Sequence, residues 1–516
     1  MAKCLLIHVP VRLFDSPRHI PLSVGMLAAM VKDRHEVAIC DLNAMRDIYK
    51  NPDDLQDYLL ECLRLTKWDY IGVSGLSTQY REIKKVLPVA RKTNPQATIL
   101  AGGGWVSSIP QEMLELNSDI DIACINEGDY TFQEILDGKS PSDIKGIYYK
   151  ENGQYIATEP RPLVENMDSL PYPAYDLMEL SIYFKHSKTN ESLEMAQCNR
   201  RLDIVAERGC PRQCTFCQHL GGSRWDLVIQ LGKDKVREMD KEYGFQSPAR
   251  WNSPKYITEQ FLHIHDTYGV DGVLLMDENL CSNKKRVFSV CDMFISEGIG
   301  KKMKWFALGD SASVDDDMLL KMREAGCTGL SYGGESASDR VLLKDIGKGV
   351  TRQHHQNAID AMKRTGIRPL MTFMLGNPNE DIDDICETVE FWIRNNIECF
   401  PFICVAYPGT KLYVDYKDFL LQQYDPTITA LSSHEKKLKA LEAWHMEMDD
   451  ATEMTAHVSQ IFNTVELLGL QQLMYHKDLK RILRFAHDTG RKHSPKWNIY
   501  CPTCTKVGEI LAGNNN

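Results

Sequence analysis

Two stretches in which short apolar runs alternate with amphipathic segments, separated by a proline-rich break, constrain this chain more than any other feature. In the first, the runs Cys4–Val9, Val37–Asp41, Tyr70–Ser74, Thr98–Ala101 and Asp121–Ile125 alternate with helical patterns at Leu22–Lys32, Pro52–Leu65, Tyr80–Lys92 and Tyr130–Leu136. Strands joined through helices lie parallel, and a parallel sheet needs both faces covered. The first 150 residues are therefore expected to form a Rossmann-like, doubly wound domain. The prolines between Glu159 and Pro173 break the pattern, which puts a linker over 151–200. Six further strand patterns follow, at Asp203–Glu207, Gly272–Met276, Met303–Leu308, Thr328–Tyr332, Pro369–Leu375 and Pro401–Ala406. They predict a partial (β/α)6 barrel of the TIM type over 201–412. Beyond it, Glu435–Met448 and Glu453–Leu468 carry helical periodicity, so 413–516 is read as a C-terminal helical domain and a possible substrate cap. The class is α/β.

Charge narrows the partners. With 60 basic against 71 acidic residues the net charge is -11, which implies no attraction to nucleic acid or anionic lipid and favours a small-molecule, protein or peptide substrate. No apolar run is long enough to predict a membrane span, and the start of the chain lacks a signal-peptide pattern, so a cytoplasmic protein is expected. In that setting the 16 cysteines read as thiols and metal ligands rather than disulfides.

Three of them stand together in RGCPRQCTFCQ: Cys210, Cys214 and Cys217, directly after a strand and with no fourth cysteine nearby. Three thiolates on a [4Fe-4S] cubane leave one iron open to a chelating small molecule, such as the amino and carboxylate groups of S-adenosylmethionine (SAM). A zinc site is the alternative, closed by a residue such as His219. Ligands of parallel folds gather at the carboxyl ends of the strands, so Cys210, Asp277, Glu335 and Glu380 are expected to converge there.

From about Cys4 to Tyr413 the chain resembles the cobalamin-dependent radical SAM enzymes. The resemblance rests on the triad, on GVDGVLLMDENLCSNKKRV, GCTGLSYGGESASDRVL, FMLGNPNE and AYPGTKLY, and on WDYIGVSGLS, ILAGGGW and INEGDYTFQEIL in the first domain. It implies a [4Fe-4S] cluster, SAM and cobalamin as cofactors. It places Phe216 beside the adenine, Asp277 and Glu278 at the end of the second barrel strand, Glu335 on the ribose hydroxyls and Ser336 on the SAM carboxylate. Gly376 and Pro378 would form the turn passing the adenine, while Pro408 and Gly409 only shape a turn. Glu380 is either part of the site or a solvated helix start. Gly334 departs from the family, which more often has an apolar residue there. In the first domain Ser74 and Leu76 would meet the nucleotide tail of the corrinoid, and Gly103 and Gly104 would let it pass close to the sheet. The Asp-x-His-x-x-Gly motif that supplies a cobalt ligand is absent, so His8 and His19 stay unassigned.

The implied reaction is methylation of an unactivated carbon by way of the corrinoid, with a reductant such as flavodoxin or ferredoxin. A cyclase or ring-rearranging enzyme would use the same cofactors. The pair Cys501 and Cys504 is either a candidate for a second metal or a pair of unligated thiols.

Overall fold

The computed structural model describes residues 1–11, 16–187, 198–212, 214–218, 249–396, 398–448 and 456–475, with four isolated positions beyond. His219, Cys501 and Cys504 lie outside the described residues.

The first sheet has seven strands in the order β2-β1-β3-β4-β5-β6-β7. They are β1 (Lys3–His8), β2 (Glu36–Asp41), β3 (Tyr70–Ser74), β4 (Thr98–Gly102), β5 (Ile122–Cys124), β6 (Ile147–Glu151) and β7 (Gln154–Ala157). The first five are parallel, as the alternation predicts. The order 2-1-3-4-5 reverses direction between β1 and β3, which opens a ligand crevice at their carboxyl ends. Strands β6 and β7 are an antiparallel hairpin on the β5 edge, and β6 runs across position 150. Its turn is Asn152-Gly153, both with positive φ (51° and 80°), the geometry that matches strand twist in a two-residue hairpin.

The second sheet has six strands in the order β15-β14-β13-β12-β11-β8, all parallel. They are β8 (Arg201–Ile204), β11 (Gly272–Leu275), β12 (Lys304–Gly309), β13 (Cys327–Glu335), β14 (Arg368–Leu375) and β15 (Glu398–Ile403). This is the open barrel the sequence predicts. Its first strand starts and ends earlier than expected, because Ala206 leaves the ladder to donate its N–H to Asp277 at 2.7 Å. The chain then forms β9 (Glu207–Arg208), paired antiparallel with β10 (Arg250–Trp251). Outward residues such as Leu202, Val273, Trp305, Leu330 and Phe373 pack under the helices, while Leu274 and Phe306 face inward with Met276, Leu308 and Leu370.

After the barrel, helices Lys411–Gln422 and His434–Glu447 add Leu420, Leu421, Leu441 and Trp444 to the apolar core of the first sheet, beside Tyr80, Ile83 and Trp105. A helix over Glu453–Leu468 is not what forms. The described residues 456–463 are irregular, and the helix spans Thr464–Tyr475, packed on the barrel through Leu467, Leu470 and Met474. Asn463 decides this start: its Oδ1 accepts from Glu466 N at 3.0 Å while Glu466 accepts from Asn463 N at 3.1 Å, a reciprocal cap.

Candidate functional site

At the carboxyl end of β3, Ser74 and Gly75 meet the loop after β4. Gly103 has φ 90°, and a Cβ on it would lie 2.3 Å from Gly75 O and 3.1 Å from Ser74 Oγ. Only glycine fits between the two loops. Gln79 fastens the first loop by accepting from Leu76 N at 2.8 Å and donating to Val9 O at 2.9 Å. Leu76 itself is 40% exposed, an apolar side chain held at the crevice. Of the four residues expected to hold a nucleotide tail, Ser74 and Gly103 thus meet directly, with Leu76 and Gly104 next along the same two loops.

The cysteine loop follows β9. Cys217 N donates to Cys214 O at 3.2 Å, and Thr215 ties the turn to the barrel through Ile346 O and Asp345 O. Burial raises all three thiols, and brings Cys214 up to about 12 despite the Lys348 ammonium nearby. Neutral thiols of this kind become ligands by losing their protons to a metal. His219, the residue that would close a zinc site, lies outside the described residues. Phe216 is half-buried against the first domain's core.

The strand ends sort the remaining candidates. Asp277 is fully buried and accepts from Arg286 at 3.1 Å and from Ala206 N, so it orients the entry to the cysteine loop. Glu207, beside the same arginine at 3.2 Å, is held neutral: burial, with the Asp277 charge adding, lifts it to about 9. Glu335 has φ 60°, a left-handed backbone that is rare outside glycine and asparagine, where β13 shifts register against β14. Its Oε1 accepts from Lys348 Nζ at 2.7 Å, and the same ammonium donates to Gly333 O at 2.6 Å. Gly333 has no room for a side chain: its Cβ would lie 1.9 Å from Glu335 Oε1. At Gly334 a Cβ would lie 2.6 Å from Met371 Sδ, so the bulk of Met371 explains the departure from the family pattern.

Two expected residues have close protein neighbours. Ser336 is fully buried, its hydroxyl 3.1 Å from Thr388 Oγ1 on helix Ile382–Asn395 and accepting from Ser338 N. Gly376, with φ 82°, has Leu467 of the last helix 2.8 Å from where its Cβ would be. Glu380 is not a solvated helix start. It is fully buried, accepts from Gly376 N at 2.7 Å and Asn377 N at 3.2 Å, and burial pushes it up to about 8.

Four residues lay outside the sequence reading. Lys348 is one, sitting between two glycines of positive φ, Gly347 and Gly349. Asn279 reaches both Asp310 Oδ2 at 2.7 Å and Cys210 Sγ at 3.8 Å, and Asp310 also accepts from Arg212 at 3.1 Å. Gln218, next to the last cysteine, donates to Pro408 O at 2.9 Å and to the Ser108 hydroxyl. Asn279 follows the acidic pair and Gln218 the triad, which was the available signal; nothing local marks Asp310.

Residues 16–136 match the B12 binding domain family, and residues 204–391 match the radical SAM superfamily. An uncharacterized methyltransferase of Pyrococcus horikoshii is 27% identical over 400 residues, covering 76% of this chain and 77% of its own. The cytidylyl-2-hydroxyethylphosphonate methyltransferase of Streptomyces wedmorensis is 23% identical over 73% of each chain. The anaerobic magnesium-protoporphyrin IX monomethyl ester cyclase of Cereibacter sphaeroides is 23% identical over 65% of this chain and 52% of its own. Among solved structures, the methyltransferase TsrM from Kitasatospora setae, with cobalamin and a [4Fe-4S] cluster bound, superposes with a TM-score of 0.63 at 14% identity, over 84% of this chain and 80% of that one. OxsB, with aqua-cobalamin and SAM bound, gives 0.60 at 18% identity, over 93% of this chain and 61% of that one.

Proposed function

We infer that this chain, which matches the B12 binding domain over 16–136 and the radical SAM superfamily over 204–391, moves a methyl group from SAM, by way of the corrinoid, to an unactivated carbon of its substrate. One observation carries the reading: Gln218, beside the last cysteine, is within hydrogen-bond reach of Ser108 and 3.5 Å from Gly104 O, so cysteine loop and corrinoid loop share one seam. When bound, the cluster with SAM supplies a 5'-deoxyadenosyl radical, and the corrinoid supplies the methyl group.

The chain's part is placement. Cys210, Cys214 and Cys217 hold the cluster, Phe216 lies along the adenine, and Glu335 takes the ribose hydroxyls with Lys348 fixing its carboxylate. Ser336 meets the SAM carboxylate, its hydroxyl held 3.1 Å from Thr388 Oγ1. Asp277 steadies the loop entry through Ala206. Ser74, Leu76, Gly103 and Gly104 receive the nucleotide tail. Leu274, Phe306, Met276, Leu308 and Leu370 give the barrel an apolar interior, which keeps water and stray hydrogen donors from a radical. An electron from a flavodoxin or ferredoxin starts each cycle.

A cyclase reading has the Cereibacter sphaeroides relative in its favour. Turnover with SAM labelled on its methyl group separates the two. The label is expected on a former C–H carbon, with 5'-deoxyadenosine and S-adenosylhomocysteine both accumulating. Deoxyadenosine formed alongside an unlabelled, unmethylated product would replace this reading with the cyclase.

A further inference from the structure

The cysteine loop is held by the barrel along its length and, at both ends, by the first domain as well. Upstream, Arg208 of β9 makes a two-pronged contact with Asp129, Nη1 to Oδ2 at 2.7 Å and Nη2 to Oδ1 at 3.0 Å. Its ribbon partner Arg250 does the same with Glu127, at 2.8 and 3.1 Å, and also donates to Val164 O at 2.7 Å. Asp129 is 3% exposed and Arg208 is well covered, so these are desolvated pairs with fixed geometry rather than loose surface contacts. The acidic residues of INEGDY therefore have a structural task, the gripping of the ribbon that leads into the cysteines. Downstream, the Gln218 amide donates to Ser108, whose hydroxyl donates onward to Gly104 O at 2.6 Å, and to Pro408 O at 2.9 Å. Gly104 begins the short helix Gly104–Ser107 behind the glycine pair, so this relay runs from the residue after Cys217 into the loop that receives the corrinoid tail.

We propose that Gln218 is a positioning residue that, with the Arg208–Asp129 pair, sets the distance and orientation between the cluster and the corrinoid. The argument rests on the two-cofactor assignment but not on which reaction follows. A flexible loop between two separately folded cofactor domains would leave their spacing to a linker. Here the loop that carries one cofactor is pinned by the loop that carries the other. A displacement of about 1 Å between reacting groups can cost about a hundredfold in rate. Loss of the pin therefore breaks the coupling between radical formation and group transfer before it empties either site.

The test uses the full chain, loaded anaerobically with cluster and cobalamin and without substrate, in the forms Gln218→Ala, Ser108→Ala and wild type. Iron and corrinoid contents report whether each site fills. The readout is the Co(II) EPR signal with the cluster reduced against oxidised, since a nearby paramagnetic cluster speeds relaxation of that signal in a distance-dependent way. Both variants are expected to fill both sites while losing part of the cluster-induced relaxation enhancement. Ser108→Ala removes the hydroxyl through which the relay runs, leaving only the 3.5 Å contact of Gln218 with Gly104 O, and does so without touching the cysteine loop, so it stands in if Gln218→Ala fails to hold a cluster. Wild-type enhancement in a fully loaded Ser108→Ala variant, with Gln218→Ala equally unaffected or unable to load, overturns the proposal. Because the measurement needs no turnover, it is independent of the methyl-transfer reading.

Discussion

Glu335 and Lys348 form a pair in which neither member is comfortable alone. The carboxylate is 6% exposed and the ammonium 8%, and an unpartnered charge at that depth costs about 3 to 5 kcal/mol. Lys348→Met is therefore expected to destabilise the fold strongly, while Lys348→Met combined with Glu335→Gln recovers most of that loss in a urea titration. SAM affinity separates structure from binding: it should fall roughly ten- to a hundredfold or more in Glu335→Gln, the worth of a charged hydrogen bond of about 1.5 to 3 kcal/mol. Unchanged affinity in the folded variant removes Glu335 from the ribose site. Glu380 gives a second prediction. Its folded pKa of about 8 stands above the ordinary 4.5, so the folded state takes up a proton, and its contribution to stability declines as pH rises from 4.5 to 8. Between about pH 6 and about pH 9 the loss amounts to about 2 to 3 kcal/mol. Glu380→Gln is expected to flatten that slope; an unaltered difference between the two urea midpoints would refute the assignment. Sequence spacing located Glu335 and Glu380 at strand ends, but the partners that determine their charge come from distant segments or from backbone N–H groups that no motif displays.

At the scale of elements, periodicity located the parallel strands well and local capping chemistry was read less well. The segment from Glu453 has helical spacing without proline or glycine, yet Asn463-x-x-Glu466 caps a later start, and Gln460 N donates to Pro378 O at 3.0 Å to hold the irregular stretch across the barrel. Asn152-Gly153 was a hairpin signal in plain view. The ribbon of β9 and β10 was not legible, because its strands are two residues each and separated by a long excursion. The last helix depends on the turn it covers. Gly376→Ala meets both a left-handed φ and Leu467, and is expected to loosen helix Thr464–Tyr475 while leaving the cysteine loop intact. Limited proteolysis checks it: cleavage near 456–463 should accelerate, with iron content unchanged. Equal cleavage rates would show that the helix docks without that close approach.

For the whole molecule the clearest expectation concerns the cluster. Changing Cys210, Cys214 and Cys217 together to Ala should abolish iron and sulfide binding while corrinoid binding persists, because the loops proposed to hold the corrinoid draw their contacts from the ends of β1, β3 and β4. Iron and sulfide retained at wild-type levels would mean that other residues hold the cluster. The sequence also displayed both sheets, in correct order along the chain, since each βα unit is local. It concealed how the ends interleave. Helices Lys411–Gln422 and His434–Glu447 bring Lys417 to Glu112 at 3.1 Å and His434 to Glu115 at 2.5 Å, and stack Trp444 on Tyr413 above the first domain's core. Apolar residues spaced for a helix do not say which surface will cover them.

That interleaving has a consequence during synthesis. The first sheet leaves the ribosome early, but the residues that close its core, Leu441 and Trp444, arrive about 320 positions after Ala123. At about 5 to 20 residues per second the nascent domain waits roughly 15 to 65 s with Tyr80, Ile83 and Trp105 uncovered. Through that interval its unfinished surface invites chaperones, and the first sheet gains its full support only once helix His434–Glu447 has been made.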